Sequence, residues 1–220
     1  MPADLAQKQA LEALFSVGRD VGSQGPCLVI WCRSSHAWRV RVLVPLLALG
    51  MLVGGCQHRV RYPLVGQPGV MTQVDLHPHA QRPELWTMNY QQDGFIPICT
   101  PVVIESVTER EMQFSVPSLG VRFHYRVDPF LSEPFTAHLD RFFGVGCPRE
   151  VEQLSAIDRE GISRGVAEVG MTRRGVLFAL GPPPVHTTPS LDAPVWRYWR
   201  NRHTAFEVRF VGDIVSEVDH

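Results

Sequence analysis

The cysteines are the residues whose types and spacing could carry chemistry in this chain, and Cys56 has the most informative surroundings. Two arginines precede an uncharged, mostly apolar run at residues 42–53, and two glycines stand directly before Cys56. A basic flank, a short apolar run and a small-residue cleavage position are the parts of a secretory signal. The run is shorter than the ~20 residues of a spanning helix, which favours a removable leader over a permanent transmembrane segment. The alternative is a buried strand or helix of the fold.

The four residues Val53, Gly54, Gly55 and Cys56 together resemble the lipobox of bacterial lipoproteins. In that family signal peptidase cleaves before the cysteine, which becomes the lipidated first residue. The resemblance therefore implies that the protein is held on a membrane through lipid on Cys56. Family members kept in the inner membrane commonly carry aspartate at the next position, where this chain has Gln57. The implied location is the periplasm-facing side of the bacterial outer membrane.

The leader defined in this way is unusually long. Signal peptides have about 15–30 residues, whereas 55 residues precede Cys56. We interpret residues 1–55 as a signal-peptide region with a mis-annotated N-terminal extension, and Val40 is an alternative start of translation.

Two cysteines remain after the predicted cleavage, because Cys27 and Cys32 leave with the leader and Cys56 carries lipid. Cys99 and Cys147 are an even pair in an oxidising compartment, where disulfides form and persist. We predict a disulfide between them. The alternative is two separate buried thiols, since cysteine often behaves as a small apolar residue.

Histidines and carboxylates supply the other candidate chemistry. His77 and His79 form an H-x-H pair that could bind a metal, but no further ligands stand at a recognisable spacing. A pair of solvated loop histidines is the simpler interpretation. The sequence has neither H-E-x-x-H nor C-x-x-C, so a catalytic site would have to assemble in space, for instance from His124, His138 and Glu105. We predict no catalytic residues, no metal and no cofactor.

The middle of the chain, residues 94–148, has the pattern of a small antiparallel β unit. Residues 95–107 include a β-branched run, and apolar and polar residues alternate at 111–116 and 121–127. These short strands resemble a bacterial SH3-like barrel. The spacing of apolar residues predicts one helix over residues 134–143, ended by Gly144.

The last part, residues 149–220, has the pattern of two helices followed by three strands. A helical period covers residues 154–169, and Thr172 is a suitable N-cap for a second helix that ends at Gly181. Apolar residues then recur at strand spacing up to residue 218. The predicted class is α+β, with helices covering one face of a sheet.

A resemblance to the SmpA/OmlA (BamE-like) domain rests on residues of this last part, in order and spacing. They are Gly170, Met171, Thr172, Val176, Leu180, Gly181, Pro183, Trp196, Tyr198, Val208 and Phe210. Members of that family are small outer-membrane lipoproteins, and the best known of them supports β-barrel protein assembly. This chain differs in carrying a β unit between the anchor and the module. A similar fold also occurs in secreted inhibitors of β-lactamase.

The predicted organisation is a leader (1–55), a lipid-anchored tether (56–93), the β unit (94–148) and the BamE-like module (149–220). An alternative for the tether is a loop packed on the domain. The net charge of −1 gives no reason to expect a nucleic-acid partner.

We expect a non-catalytic outer-membrane lipoprotein that acts as a protein-interaction or envelope assembly and maintenance factor, with an envelope protein as partner. The alternatives are an inhibitor-like binder of a secreted enzyme and, with less support, a periplasmic enzyme. Tryptophan, tyrosine and arginine are favoured at interaction hot spots. The candidate partner surface is therefore Trp196, Tyr198, Trp199 and Arg200, and the alternative is a strand with one buried aromatic face.

Overall fold

The structure is a computed structural model that describes residues 59–219, and these residues have an α+β fold. The predicted leader and the lipidation candidate Cys56 lie outside the described residues. The first half of the described chain contains five strands: β1 (Val70–Thr72), β2 (Glu84–Trp86), β3 (Val103–Val107), β4 (Glu111–Val116) and β5 (Val121–Arg126). The second half contains α1 (Phe135–Leu139), β6 (Phe143–Val145), a 3-10 helix (Arg149–Gln153), α2 (Ala156–Arg164), α3 (Arg173–Leu180), β7 (Val195–Trp199), β8 (Ala205–Val211) and β9 (Ile214–Asp219).

The strands form three sheets. A four-stranded sheet has the order β2-β5-β4-β3, a two-stranded sheet joins β1 to β6, and a three-stranded sheet has the order β7-β8-β9. The pairs β3–β4 and β4–β5 are antiparallel, as the alternation predicted. β2 adds in parallel to β5. That strand has only three residues, directly after Pro83, so it carries too short a pattern to be predicted.

Residues 70–93 do not form the predicted tether. Val70, Val74 and Leu76 are almost fully buried in the core. The Asn89 side chain donates to the carbonyls of Leu180 (2.7 Å) and Pro182 (2.9 Å). It thereby satisfies carbonyl groups at the C-terminus of α3 that would otherwise lack partners. The alternative interpretation, chain packed on the domain, describes this segment.

One hydrophobic core extends across the predicted boundary at residues 148 and 149. It contains Phe114 and Phe143 from the first part and Val176, Trp196 and Val208 from the second. Among the described residues, the β unit and the C-terminal module therefore pack together through shared apolar side chains.

The predicted helix over residues 134–143 is too long. α1 ends at Leu139, and Phe143 begins β6. Phe142, directly before β6, and Phe143, its first residue, are nevertheless buried in the core. A run of apolar residues this short has no period that separates helix from strand.

Both ends of α3 carry the capping residues that the sequence predicted. The hydroxyl of Thr172 accepts a hydrogen bond from the N–H of Gly175 at 3.0 Å, so Thr172 is the N-cap that the sequence predicted. Gly181 caps the C-terminus with φ of 73°, a backbone conformation that favours glycine.

Candidate functional site

The three groups of the hypothetical dispersed catalytic site do not share a centre. Glu105 pairs with Arg122 (2.8 Å) on the outer face of the four-stranded sheet, and His124 Nδ1 lies 3.3 Å from a Glu111 oxygen. His138 is buried on α1. Neighbouring residues in a strand point to opposite faces. His124 therefore faces outward, whereas the adjacent Tyr125, which contacts His138, faces the core.

The buried histidine belongs to a polar cluster. His138 Nε2 lies 2.9 Å from the Tyr125 hydroxyl, and its Nδ1 lies 3.1 Å from Arg141 Nη2 and 3.3 Å from a Glu133 oxygen. In one tautomer Nδ1–H donates to the carboxylate and Nε2 accepts from the phenol, and in the other Nδ1 accepts from Arg141 and Nε2–H donates to the phenol. Burial, with a smaller effect of Arg141, lowers the pKa of His138 to about 3. Burial raises the pKa of Tyr125, so neither ring is suited to proton transfer near neutral pH.

A hydrolase-type motif in α2 also lacks the geometry of a nucleophile. Residues 161–165 have the spacing G-x-S-x-G, which in hydrolases places serine on a sharp turn between strand and helix. Ser163 instead lies inside α2, and its hydroxyl donates to the carbonyl of Glu160 at 2.8 Å. The motif is therefore part of a capped helix rather than a nucleophile turn.

The H-x-H pair is only partly solvated. His77 is buried, contrary to the simpler interpretation, and its Nε2 lies 2.9 Å from the carbonyl of Ala179. Burial lowers its pKa. His79 accepts a hydrogen bond from the N–H of Gln81 at 3.1 Å. Across residues 59–219 there is no group of three or more histidine, cysteine or acidic residues placed to hold a metal ion.

The structure joins Cys99 and Cys147 in a disulfide, with their Cα atoms 4.8 Å apart. Cys99 precedes β3, and Cys147 follows β6. The N–H of Cys99 also donates to the carbonyl of Thr72 in β1 at 2.9 Å. The bond therefore links the segment that hydrogen-bonds to β1 at Thr72 with the residue that follows shortly after β6, the partner strand of β1.

Two of the four residues predicted as a partner surface are buried, and this part of the prediction is wrong. Trp196 and Tyr198 have 0% exposure. The Trp196 ring packs 4.6 Å from that of Phe210, and the Tyr198 hydroxyl donates to the carbonyl of Gly181 at 2.9 Å. Both side chains lie on the inner face of β7, so they cannot contact a partner while the protein is folded.

The exposed part of the predicted surface is its C-terminal end. Trp199 is half-buried and Arg200 is exposed, and residues 200–204 form the connection between β7 and β8. We call residues 200–204 the β7–β8 turn. Sequence alternation alone could not show which face of β7 is covered, since aromatic residues occur on both faces.

The β7–β8 turn lies between two clefts. The histidine cleft has a volume of about 490 Å³ and is lined by His77, His79, Ala80, Gln91, Gln92, Asp93, Gly165, Val166, Ala167, Leu180, Arg200, Asn201, Phe206 and Val218. The aromatic cleft has a volume of about 320 Å³ and is lined by Arg82, Glu84, Trp86, Tyr90, Gln92, Asp128, Asn201, Arg202 and His203. Gln92 and Asn201 line both clefts. The segment that the sequence assigned to a tether therefore supplies residues to both.

No helix within residues 59–219 is both long enough and apolar enough to cross a membrane.

The chain matches no family model, no curated protein and no solved structure.

Proposed function

We propose that this protein is a non-catalytic outer-membrane lipoprotein, anchored through lipid on Cys56, that acts as a protein-interaction or envelope assembly and maintenance factor. The observation that carries the proposal is the short distance along the chain between the lipobox cysteine and residues that pair with the described sheet. Arg59, three residues after the lipobox cysteine, already bridges to Thr108, and the N–H of Val60 donates to the carbonyl of Val107 at 2.9 Å. Three residues span at most ~10 Å. Acyl chains on Cys56 would hold the folded chain directly against the leaflet.

The disulfide between Cys99 and Cys147 supports a location in the envelope. Disulfides form and persist in the bacterial periplasm and are rare in cytosolic proteins. The lipobox and the disulfide are independent features of the chain, and both favour the same compartment.

We assign the last part of the chain to a SmpA/OmlA (BamE-like) module and the preceding strands to an SH3-like unit. The order α2, α3, β7, β8, β9 and the antiparallel three-stranded sheet support the first assignment. The antiparallel strands β3, β4 and β5 support the second. The parallel addition of β2 to β5 is a departure from a simple meander.

We place the partner surface at the β7–β8 turn and its two clefts, because Arg200, the exposed residue of the predicted surface, lies there. The inhibitor-like alternative has less support. An exposed sheet rich in aromatic residues would favour that alternative. The aromatic side chains of the last sheet are instead at most 7% exposed at Trp196, Tyr198, Phe206 and Phe210.

The test is intact mass spectrometry combined with membrane fractionation of the mature protein. We expect an acylated N-terminal residue at Cys56 and recovery with the outer membrane. Cys56→Ala should remove the acyl mass, whereas Cys32→Ala, a matched change in the predicted leader, should leave it unchanged. A mature protein that begins upstream of Cys56, or that carries no acyl group, would overturn the proposal.

A further inference from the structure

The aromatic cleft has a tryptophan in a defined orientation. Leu85 of β2 points into the core, so its neighbours Glu84 and Trp86 lie on the outer face of the four-stranded sheet. The guanidinium carbon of Arg126 on β5 lies 5.8 Å from the centroid of the Trp86 ring, which fixes that ring beside the cleft. Tyr90 supplies a second aromatic ring to the cleft wall.

The charges of the aromatic cleft balance. Arg82 and Arg202 contribute two positive charges, and Glu84 and Asp128 contribute two negative charges. Glu84 is also paired with Arg126, at 3.3 Å. A site for a simple anion or cation would carry an excess of the opposite charge. The balance therefore favours a ligand without net charge.

The cleft wall contains aromatic and hydrogen-bonding side chains, and none of its nine residues is aliphatic. Asn201 Oδ1 accepts from the N–H groups of His203 (2.9 Å) and Thr204 (3.0 Å), which leaves its amide hydrogens to donate to a ligand. The arginines donate, the carboxylates accept, and the Tyr90 hydroxyl, which accepts a hydrogen bond from Arg202, keeps its own hydrogen to donate. A ligand for this wall needs many groups that both donate and accept hydrogen bonds.

We propose that the aromatic cleft binds a short segment of an uncharged saccharide. Sugar hydroxyls donate and accept hydrogen bonds, which matches the side chains of the wall. One face of a pyranose ring presents C–H groups, whose partial positive charge is attracted to the negative face of an aromatic ring such as Trp86. A volume of about 320 Å³ lies within the usual range of small-ligand sites. The proposal names a class of envelope partner and does not require Cys56 to be acylated.

The test uses the purified full-length protein and three uncharged probes: cellotetraose, maltotetraose and tetra-N-acetylchitotetraose. Binding is followed by tryptophan fluorescence and by saturation-transfer NMR. We expect at least one probe to bind, with little dependence on salt. Trp86→Ala should weaken that binding about tenfold, through loss of ring contact.

Two further variants separate recognition from folding. Tyr90→Phe keeps the ring and removes only the hydroxyl, so it should weaken binding by about three- to tenfold with an unchanged circular dichroism spectrum. Phe130→Ala removes an exposed aromatic ring that does not line the aromatic cleft, and binding should be unchanged.

Three outcomes would overturn the saccharide site. They are no binding of any probe, binding that Trp86→Ala leaves intact, and binding that dextran sulfate abolishes in a salt-dependent manner, which would indicate an anion site. Each differs from failure of the lipoprotein proposal, which is read from the N-terminal mass alone.

Discussion

The carboxylate of Asp158 on α2 accepts a hydrogen bond from the backbone N–H of Thr172, the N-cap of α3, at 2.7 Å. The same carboxylate accepts from the hydroxyl of Ser155, the N-cap of α2, at 2.8 Å. Asp158 has 0% exposure. One buried side chain therefore connects the starts of both helices.

We predict that Asp158→Ala lowers the free energy of unfolding by about 1–3 kcal/mol, because it leaves the Ser155 hydroxyl and the Thr172 N–H, one donor at each cap, without their acceptor. Asp158→Asn, which keeps one acceptor oxygen, should cost less. Urea unfolding measures both values. Glu160→Ala, an exposed position on the same helix, is the control and should change stability by less than about 0.5 kcal/mol.

For Gly175→Ala, the direction of the change in the free energy of unfolding tests how closely α2 and α3 pack. Alanine normally stabilises a helix interior relative to glycine by about 0.5–1 kcal/mol. A Cβ at Gly175 would overlap Asp158 Oδ1, so Gly175→Ala should instead destabilise the protein by about 1–3 kcal/mol.

Gly161→Ala is the companion variant in thermal or urea unfolding. Its Cβ would overlap the far end of the flexible Met171 side chain, which can move more readily than the Asp158 carboxylate, so its cost should be smaller. A stabilised Gly175→Ala protein would contradict the close packing of the two helices.

The buried carboxyl of Asp75 makes the stability of the fold depend on pH. Its Oδ1 accepts from the N–H of Ile98 at 2.6 Å, whereas Oδ2 is buried without a partner among the described residues. Burial raises the pKa of Asp75 from 3.8 to about 8. The folded state therefore binds more protons than the unfolded state between these pH values, and this carboxyl destabilises the fold as pH rises from 3.8 to about 8.

Asp75→Asn should match the wild type in stability at pH 4 and exceed it by about 1–3 kcal/mol at pH 8. Urea unfolding at the two pH values measures the difference. His138 has the opposite effect below its ordinary pKa of 6.5, but both proteins keep it, so its effect cancels. A constant difference between the two proteins at all pH values would contradict a buried neutral Asp75.

The disulfide between Cys99 and Cys147 should contribute to the free energy of unfolding. It closes a segment of 48 residues, and constraint of the unfolded chain over that length corresponds to about 4 kcal/mol. We expect the Cys99→Ser, Cys147→Ser double variant to lose about 2–4 kcal/mol of stability. Dithiothreitol should destabilise the wild type by a similar amount and leave the double variant unchanged.

The amino-acid sequence by itself determined the elements whose signals are local. The alternation at residues 111–116 predicted β4 with its observed bounds, and Thr172 and Gly181 marked the ends of α3. These signals depend on side-chain period and on backbone caps, which act within a few residues. The lipobox at Cys56 is likewise a property of neighbouring residues, and it stays a prediction.

Only the tertiary structure decided which side chains meet across the chain. It packed the segment of residues 70–93 against the domain, with Val70, Val74 and Leu76 in the core, paired β2 with β5, and turned Trp196 and Tyr198 inward. It also brought Trp86 and Asn201 to the wall of one cleft. A residue such as Trp86 has no local pattern that shows its environment, because burial depends on apolar partners distant in sequence and packed together only in the fold.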